Sequence, residues 1–541
     1  MSALKKQRVA AGDSEIEKKF AQGQRLQARD RFADAEQRFR KVLALDPRHL
    51  GALTGLTQCL IAQKNQQEAI HTLDRAAADA PAGDETWLFD LAGLCATVKH
   101  LQRARTLYER ALEIAPDMSS SLINLANVVG EQGDIQKAVD LLSRAIEIDP
   151  TSAKAYGNLG KMLTETRLRD EALACYRRAI ELNPNISQTW TNLAALFEIM
   201  GRHSEALSAL QQALNLDPDC DAARWNLARA LLTVGEIEAG WDMYGFGFAC
   251  RQRLPYRPFP GLIWEGEDLT DKTIMVWREQ GLGDDLLFST CYTDLIARAG
   301  HVIIETERRL VSLYQRTWPQ ATVRAETWTS TGLDNYGEVD FDYTAPAGLV
   351  AAQLRRKLSD FAAPRPTLQP DPARVAECRA WLDTLGSGPK IGLSWTSGKV
   401  DDVRALNYTK LADWKGLFAI EGAAIVNLQY TEVSEEVEAL QREHGLTLHR
   451  MPGLDLRDDL EGVAALTACM DAVVAPSSFP AAMTGALNRP CYHYRRTDWP
   501  MLGSGRLPWF PQMRCYLIDD TGARADFVTR IVTDLRRFLL A

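Results

Sequence analysis

The stretch AIEIDPTSAKAYGNLGKMLTETRLRDEALACYRRAIELNP, residues 145–184, decides the fold of the first part of the chain. It opens and closes on one phrase, a helical ending that stops at proline. The phrase recurs as VLALDP, AAADAP, ALEIAP, AIEIDP, AIELNP and ALNLDP, with prolines at Pro47, Pro81, Pro116, Pro150, Pro184 and Pro218. Successive prolines lie 34, 35, 34, 34 and 34 residues apart. Between two of them, Tyr156, Leu159, Gly160 and Leu163 mark one helix, and Ala172, Tyr176 and Ala179 the next. A shift of 34 gives Trp190, Leu193, Ala194, Phe197, Ala206, Leu210 and Ala213. Large apolar residues at i, i+3 and i+7 form a buried stripe on each helix. The small residues let neighbouring helices approach, and proline stops the second helix because it cannot extend the hydrogen-bond ladder.

A helical pair repeating every 34 residues is the tetratricopeptide repeat. One repeat cannot bury its own apolar face, so repeats must stack into a curved superhelix, whose usual work is holding another protein chain. We expect an all-α solenoid over residues 14–250. Its last helix pair, DAARWNLARALLTVGEIEAGWDMYGF, departs from the pattern, with Gly240 in place of the small alanine and aromatics at Trp241, Tyr244 and Phe246. Terminal repeats are commonly atypical, and this one should dock the solenoid onto the second half of the chain.

Asn124, Asn158, Asn192 and Asn226 recur at intervals of 34, one residue before the leucine of the first helix of each pair. An amide can donate to a carbonyl and accept from an N–H, so a row of amides on the inner wall can grip an extended peptide. The ladder resembles the one with which protein O-GlcNAc transferases hold their acceptor polypeptides. Hydrogen bonding between helices is the competing reading, since N-L-G and N-L-A occur in tetratricopeptide helices of every function.

At 541 residues the chain exceeds one hydrophobic core. A net charge of -9 argues against a nucleic-acid-binding protein. The first twenty residues hold no apolar core segment and nothing approaches 18 consecutive apolar residues, so neither a secretory signal nor a membrane span is expected. The ten cysteines are scattered without C-x-x-C spacing and apart from the eight histidines. We therefore expect reduced thiols, no metal site and a cytoplasmic protein.

Residues 251–272 hold three prolines and read as a linker without helical or strand period. Beyond it TIMVW (273–277), HVIIE (301–305), KIGLSW (390–395), AAIVNLQY (423–430) and DAVVAP (471–476) read as buried parallel strands alternating with helices. That alternation means α/β architecture. A Pro-rich gap at 364–389 suggests a crossing between two doubly wound, Rossmann-like domains, expected at 273–375 and 376–541, the second ending in a helix. Ligands bind such sheets at the carboxyl ends of the strands.

The first strand runs into WREQGLGDDLLF. Gly281 and Gly283 permit a tight turn, while the acidic pair Asp284 and Asp285 disfavours phosphate there. A carboxylate at the mouth of a cleft suits a general base, and the alternative is that one of the two merely caps the helix.

The phrase E-Q-G-L-G-D after a first strand, preceded by W-E-G and by tetratricopeptide repeats, resembles a bacterial family of repeat-fused glycosyltransferases. Their catalytic half is related to the heptosyltransferases and has the two-lobed GT-B fold. I-G-L-S-W-T-S-G (391–398), N-L-Q (427–429), T-G-A-L-N-R-P (484–490), D-W (498–499) and P-W-F-P (508–511) match in order, so the resemblance covers nearly the whole chain. It implies Asp284 as the base for the acceptor hydroxyl, with Gln280, Gly281 and Gly283 on the acceptor side. It puts Ser394, Thr396, Ser397, Lys399, Arg404, Gln429, Ser477 and Ser478 near the donor phosphates. Lys399 would neutralise the leaving group, so that neither metal nor cofactor is needed beyond the nucleotide-sugar co-substrate. Relatives carry D-T where Ser477 and Ser478 stand and a histidine at Ala482, which implies either a changed donor or a lobe that no longer catalyses.

A subgroup of these fusions glycosylates flagellin from a CMP-activated nonulosonic acid, and N-Y-T-K-L-A-D-W-K (407–415) and A-P-S-S-F-P (475–480) resemble it. The resemblance therefore implies transfer of a sugar to Ser or Thr of a protein acceptor, flagellin in that subgroup, held by the repeats. The alternatives are a non-catalytic adaptor with a degenerate transferase domain, and a glycolipid or polysaccharide transferase.

Overall fold

A computed structural model describes residues 2–80, 83–257, 259–327, 339–362, 367–398, 407–518 and 524–540. It resolves into two compact units, Met1–Asn192 and Leu193–Ala541.

The first unit is wholly helical. Four of the second helices end two residues before their prolines, at Leu45, Ile114, Ile148 and Leu182, and the helix Gln66–Ala78 ends three residues before its own. Pro81 lies outside the described residues. Side chains close several helix starts: Asp134 accepts from the Lys137 amide, Ser152 from Ala155, and Asp84 from Trp87. Each of these bonds satisfies a donor that the first helical turn leaves unpaired. The expected stripe is buried, with Ala172, Tyr176 and Ala179 at 0–1% exposure. A side chain on Gly160 would lie 2.9 Å from the Tyr176 ring, so glycine there sets the distance between the helices Ala153–Glu165 and Arg169–Leu182.

The second unit starts with the remaining repeat helices and continues as two five-stranded parallel sheets. The first sheet comprises β1 (Leu262–Ile263), β2 (Thr273–Trp277), β3 (His301–Thr306), β4 (Thr322–Ala325) and β5 (Tyr343–Pro346), in spatial order β1-β5-β2-β3-β4. The second comprises β6 (Lys390–Leu393), β7 (Ala424–Asn427), β8 (Ala472–Pro476), β9 (Cys491–Arg495) and β10 (Arg514–Leu517), in order β10-β9-β8-β6-β7. Both orders reverse direction beside their first long strand, between β2 and β5 and between β6 and β8. Those reversals open the crevices where doubly wound sheets bind ligands.

The five expected strands are present and parallel. Two are shorter than their apolar runs, stopping at Leu393 and Asn427. The chain turns there because one side chain, Gln429, draws in the polar groups just beyond β6. The segment 251–272, expected to lack strands, contributes β1, which pairs with β5 at Tyr343 and Thr344. Leu262 and Ile263 are 66% and 52% exposed, so this strand is held by backbone pairing and leaves no burial pattern to read.

One hydrophobic core runs through this unit. It joins Trp225, Leu232, Trp241 and Tyr244 of the last repeat helices to Ile274, Val276 and Ile304 of the first sheet and Val426, Val473 and Ala475 of the second. The aromatics of the closing helix pair supply the seam. Trp241 meets Trp499 and Trp509 edge-on at 6.0 and 6.4 Å, and Phe288 and Phe361 pack on Trp509 at 5.8 and 4.9 Å. All ten cysteines are free thiols. Among the described residues no helix is long and apolar enough to cross a membrane.

Candidate functional site

A cleft of about 1030 Å³ lies where the carboxyl ends of the two sheets face each other. The turn after β2 brings Gln280, Gly281, Gly283 and Asp284 to it; the turn after β6 brings Ser397, and the turn after β8 brings Ser477 and Ser478. Seven of the residues singled out from sequence thus share one cavity.

The β2 turn is held from below. Gln280 sits at φ +57°, a left-handed conformation that side chains other than glycine rarely adopt. Its amide donates to the Leu254 carbonyl and its own carbonyl accepts from Arg278 Nη1, both at 2.7 Å. Beneath it Glu279, fully buried, pairs with buried Arg253. The Arg253 guanidinium lies 4.0 and 3.9 Å over the rings of Tyr244 and Phe248 and donates to the Tyr244 carbonyl at 3.0 Å. The closing repeat helices are therefore tied through one buried ion pair to the residue preceding the turn.

Asp284 is half-buried, and its Oδ2 accepts from the Gly281 amide at 3.1 Å. The capping role weighed for it is thus observed, in a side chain that also lines the cleft. Asp285 points away into the core at 0% exposure and accepts from Thr306 Oγ1 at 2.6 Å. Burial pushes its carboxyl up to about 6.

The β6 turn is pinned by Gln429. Its Oε1 accepts from Ser394 Oγ at 2.9 Å and from the amides of Trp395 and Thr396, each at 3.1 Å. Ser394 and Gln429, 0% and 2% exposed, do not line this cleft, and Gln429 borders the adjoining cavity that shares Tyr430, Thr431 and Arg457 with it. Ser397 Oγ and the Gly398 amide both meet the Tyr430 hydroxyl, at 2.7 and 3.1 Å. Lys399 and Arg404 lie outside the described residues.

Two cleft residues escaped the sequence reading. His493 and Arg495 lie on β9, 1% and 4% exposed, and both line the cavity. His493 Nδ1 faces the Ala475 carbonyl at 3.2 Å, and burial together with the Arg495 charge lowers its pKa to about 3. Arg495 pairs with Asp498. The available signal was the polar pair H-x-R inside a run whose flanks are aromatic, which reads as a weak edge strand.

The ladder asparagines are all half-buried. Asn124 donates to the Tyr108 hydroxyl at 3.3 Å, a bond between helices, and Asn192 accepts from Gln188 at 2.8 Å within its own helix. The side chains of Asn158 and Asn226 make no hydrogen bond to the described residues.

Two family models, both described as tetratricopeptide repeat, match residues 26–88 with 199–240, and 84–151 with 151–219. Residues 26–240 are tetratricopeptide repeats. Protein FlbA of Caulobacter vibrioides is 34% identical over 325 residues, 58% of this chain. The match spans 54% of FlbA, about half its length. Among solved structures, a tetratricopeptide repeat protein of Parabacteroides merdae is 15% identical with a TM-score of 0.37, covering 44% of this chain and 93% of its own. A thermophilic repeat protein of Thermus thermophilus is 23% identical, with a TM-score of 0.30 over 34% of this chain and 99% of its own.

Proposed function

We propose that the chain is a glycosyltransferase of GT-B type that moves a sugar from a nucleotide donor to Ser or Thr of a protein held by its repeats. The reading rests on one observation: the strand-end turns of two parallel sheets, with Asp284 on one side and Ser397, Ser477 and Ser478 on the other, converge on a cleft large enough for a nucleotide sugar. Asp284 would take the proton of the attacking hydroxyl, giving up its bond to the Gly281 amide as the acceptor enters. Ser394 and Gln429 would act through the turn they shape. Asn158 and Asn226, whose side-chain amides make no hydrogen bond to the described residues, would hold an acceptor backbone, and flagellin with a CMP-activated sugar is the acceptor and donor pair that the resemblance favours.

A non-catalytic adaptor is the second reading, favoured by the turn at Ser477–Ala482, which carries neither the acid nor the histidine of the related transferases. The test is to incubate the protein and its co-purifying partner with a panel of sugar nucleotides and measure intact masses. Added sugar mass on the partner, lost in Asp284→Ala, is the expected result. Transfer that Asp284→Ala leaves untouched refutes the base assignment, and absence of both transfer and donor binding favours the adaptor.

A further inference from the structure

The cleft wall formed by β9 holds a cation in an arrangement that needs its own explanation. Arg495 is 4% exposed, yet it lines the cavity. Its Nη2 is held by both carboxylate oxygens of Asp498, and its Nη1 lies 3.4 Å from His493 Nε2. His493 Nδ1 faces the Ala475 carbonyl, so the ring carries its proton there and presents the bare Nε2 as an acceptor to the guanidinium. Arg495 Nε, fully buried, has no hydrogen-bond acceptor among the described residues. Asp498 supplies one anionic partner, yet the unmet buried Nε–H leaves the guanidinium with donor capacity that its neighbours do not use.

The neighbouring turn supplies further donors. Ser478 precedes the helix Phe479–Ala486 without capping it, its hydroxyl donating instead to the Pro476 carbonyl at 3.2 Å. The start of that helix faces the same cavity through Phe479, Ala481 and Ala482. Pro480 has no N–H and the Ala482 amide donates to the Ser478 carbonyl at 3.2 Å, which leaves the uncapped amides of Phe479 and Ala481 to favour an anion.

We propose that Arg495 is the phosphate contact of this cleft, with His493 and Asp498 as the positioning residues that fix the plane of its guanidinium. The phosphate is that of the nucleotide moiety of the donor, so the assignment of the ligand rests on the transferase reading. Asp498 already offsets the arginine charge, and its side chain is 41% exposed. Two variants should therefore act in opposite directions. Arg495→Gln removes the contact, whereas Asp498→Asn keeps an acceptor for Nη2 and removes the competing negative charge.

The experiment is calorimetric titration of the full chain with CMP, UDP, GDP and inorganic pyrophosphate, at two salt concentrations, with the parent nucleosides alongside. The expected result is that Arg495→Gln weakens phosphate-bearing probes roughly tenfold or more while nucleoside affinity is unchanged. Asp498→Asn should strengthen the same probes several-fold and steepen their salt dependence, which a merely structural role for the pair does not do. Unchanged affinity in Arg495→Gln, weakening in Asp498→Asn, or no binding of any phosphate probe to the wild type overturns the proposal. The two readings fail separately. Pyrophosphate binding lost in Arg495→Gln without turnover of any nucleotide sugar leaves the phosphate site and sinks the transferase. Turnover that Arg495→Gln does not touch does the reverse.

Discussion

Removing one partner of the Arg253–Glu279 pair should cost far more than removing both. The two side chains are 1% and 0% exposed, and neither has solvent to fall back on. Leaving a buried charge alone costs about 3–5 kcal/mol, while replacing a buried pair with apolar groups of similar volume is close to neutral. In Glu279→Leu the arginine keeps the Tyr244 carbonyl at 3.0 Å and two aromatic faces, which places the expected loss near the lower end, about 3 kcal/mol. In Arg253→Met the carboxylate keeps the Tyr244 hydroxyl at 3.4 Å and a backbone hydrogen bond from Gly348 but no cation, which places that loss near the upper end, about 5 kcal/mol. The double variant should stay within about 2 kcal/mol of the wild type. Of the 13 tryptophans only Trp87 and Trp190 lie in residues 1–192, so tryptophan fluorescence during urea unfolding tracks the second unit. Single losses below about 1 kcal/mol, or a double variant whose loss equals their sum, would show that the pair does not hold the β2 turn to the closing repeat helices.

The packing and titration of other residues set three further outcomes. Gly160→Ala, which in an open helix stabilises by about 0.5–1 kcal/mol, should here destabilise by about 1–2 kcal/mol because its methyl meets the buried Tyr176 ring; a rise in the helical melting temperature by circular dichroism contradicts this. The Asp285 carboxyl, raised from 3.8 to about 6, favours the folded state fully below pH 4 and loses that advantage as pH rises through 6, a change of about 3 kcal/mol. Asp285→Asn should therefore raise stability at pH 8 and remove the slope between pH 4 and 6, and an unchanged slope in urea titrations at stepped pH speaks against the assignment. Asn158→Ala should weaken capture of a protein acceptor, whereas Asn124→Ala, whose amide is spent on Tyr108, should chiefly lower helix stability; equal acceptor affinity in the wild type and Asn158→Ala removes the ladder from the mechanism.

The repeats were legible because a fixed period writes the same buried stripe many times over. The strands of TIMVW and DAVVAP were legible because each is covered on both faces and so must be apolar throughout. CYHYR was not, although it is equally buried, because two of its five residues serve the cleft instead of the core. Its burial is sustained by hydrogen bonds and an ion pair that a sequence does not display. The same limit applies to Gln429, which organises the turn after β6 through bonds that a sequence does not display.

These residues share a logic that bears on how the cleft could act. Two of the strand-end turns reaching it are fixed by polar contacts, Arg278 and the Leu254 carbonyl at Gln280 and buried Gln429 behind Ser397, and on β9 buried His493 stands beside Arg495. A buried hydrogen-bonded contact of this kind tolerates little displacement, because moving it strands a donor or acceptor away from water at about 1–3 kcal/mol each. The walls are also tied to each other. Arg309 of the first sheet's half donates to the Arg457 carbonyl at 2.7 Å and to Asp458 at 3.0 Å in the second, and the aromatic seam around Trp499 and Trp509 runs beneath both. Opening this cleft as a hinge would break the seam as well as the Arg309 bonds, so the cheaper motion is local, in single side chains such as Asp284 releasing the Gly281 amide. A site built this way spends little free energy on organising itself, which is what the proposed transfer would require for electrostatic stabilisation of a departing phosphate.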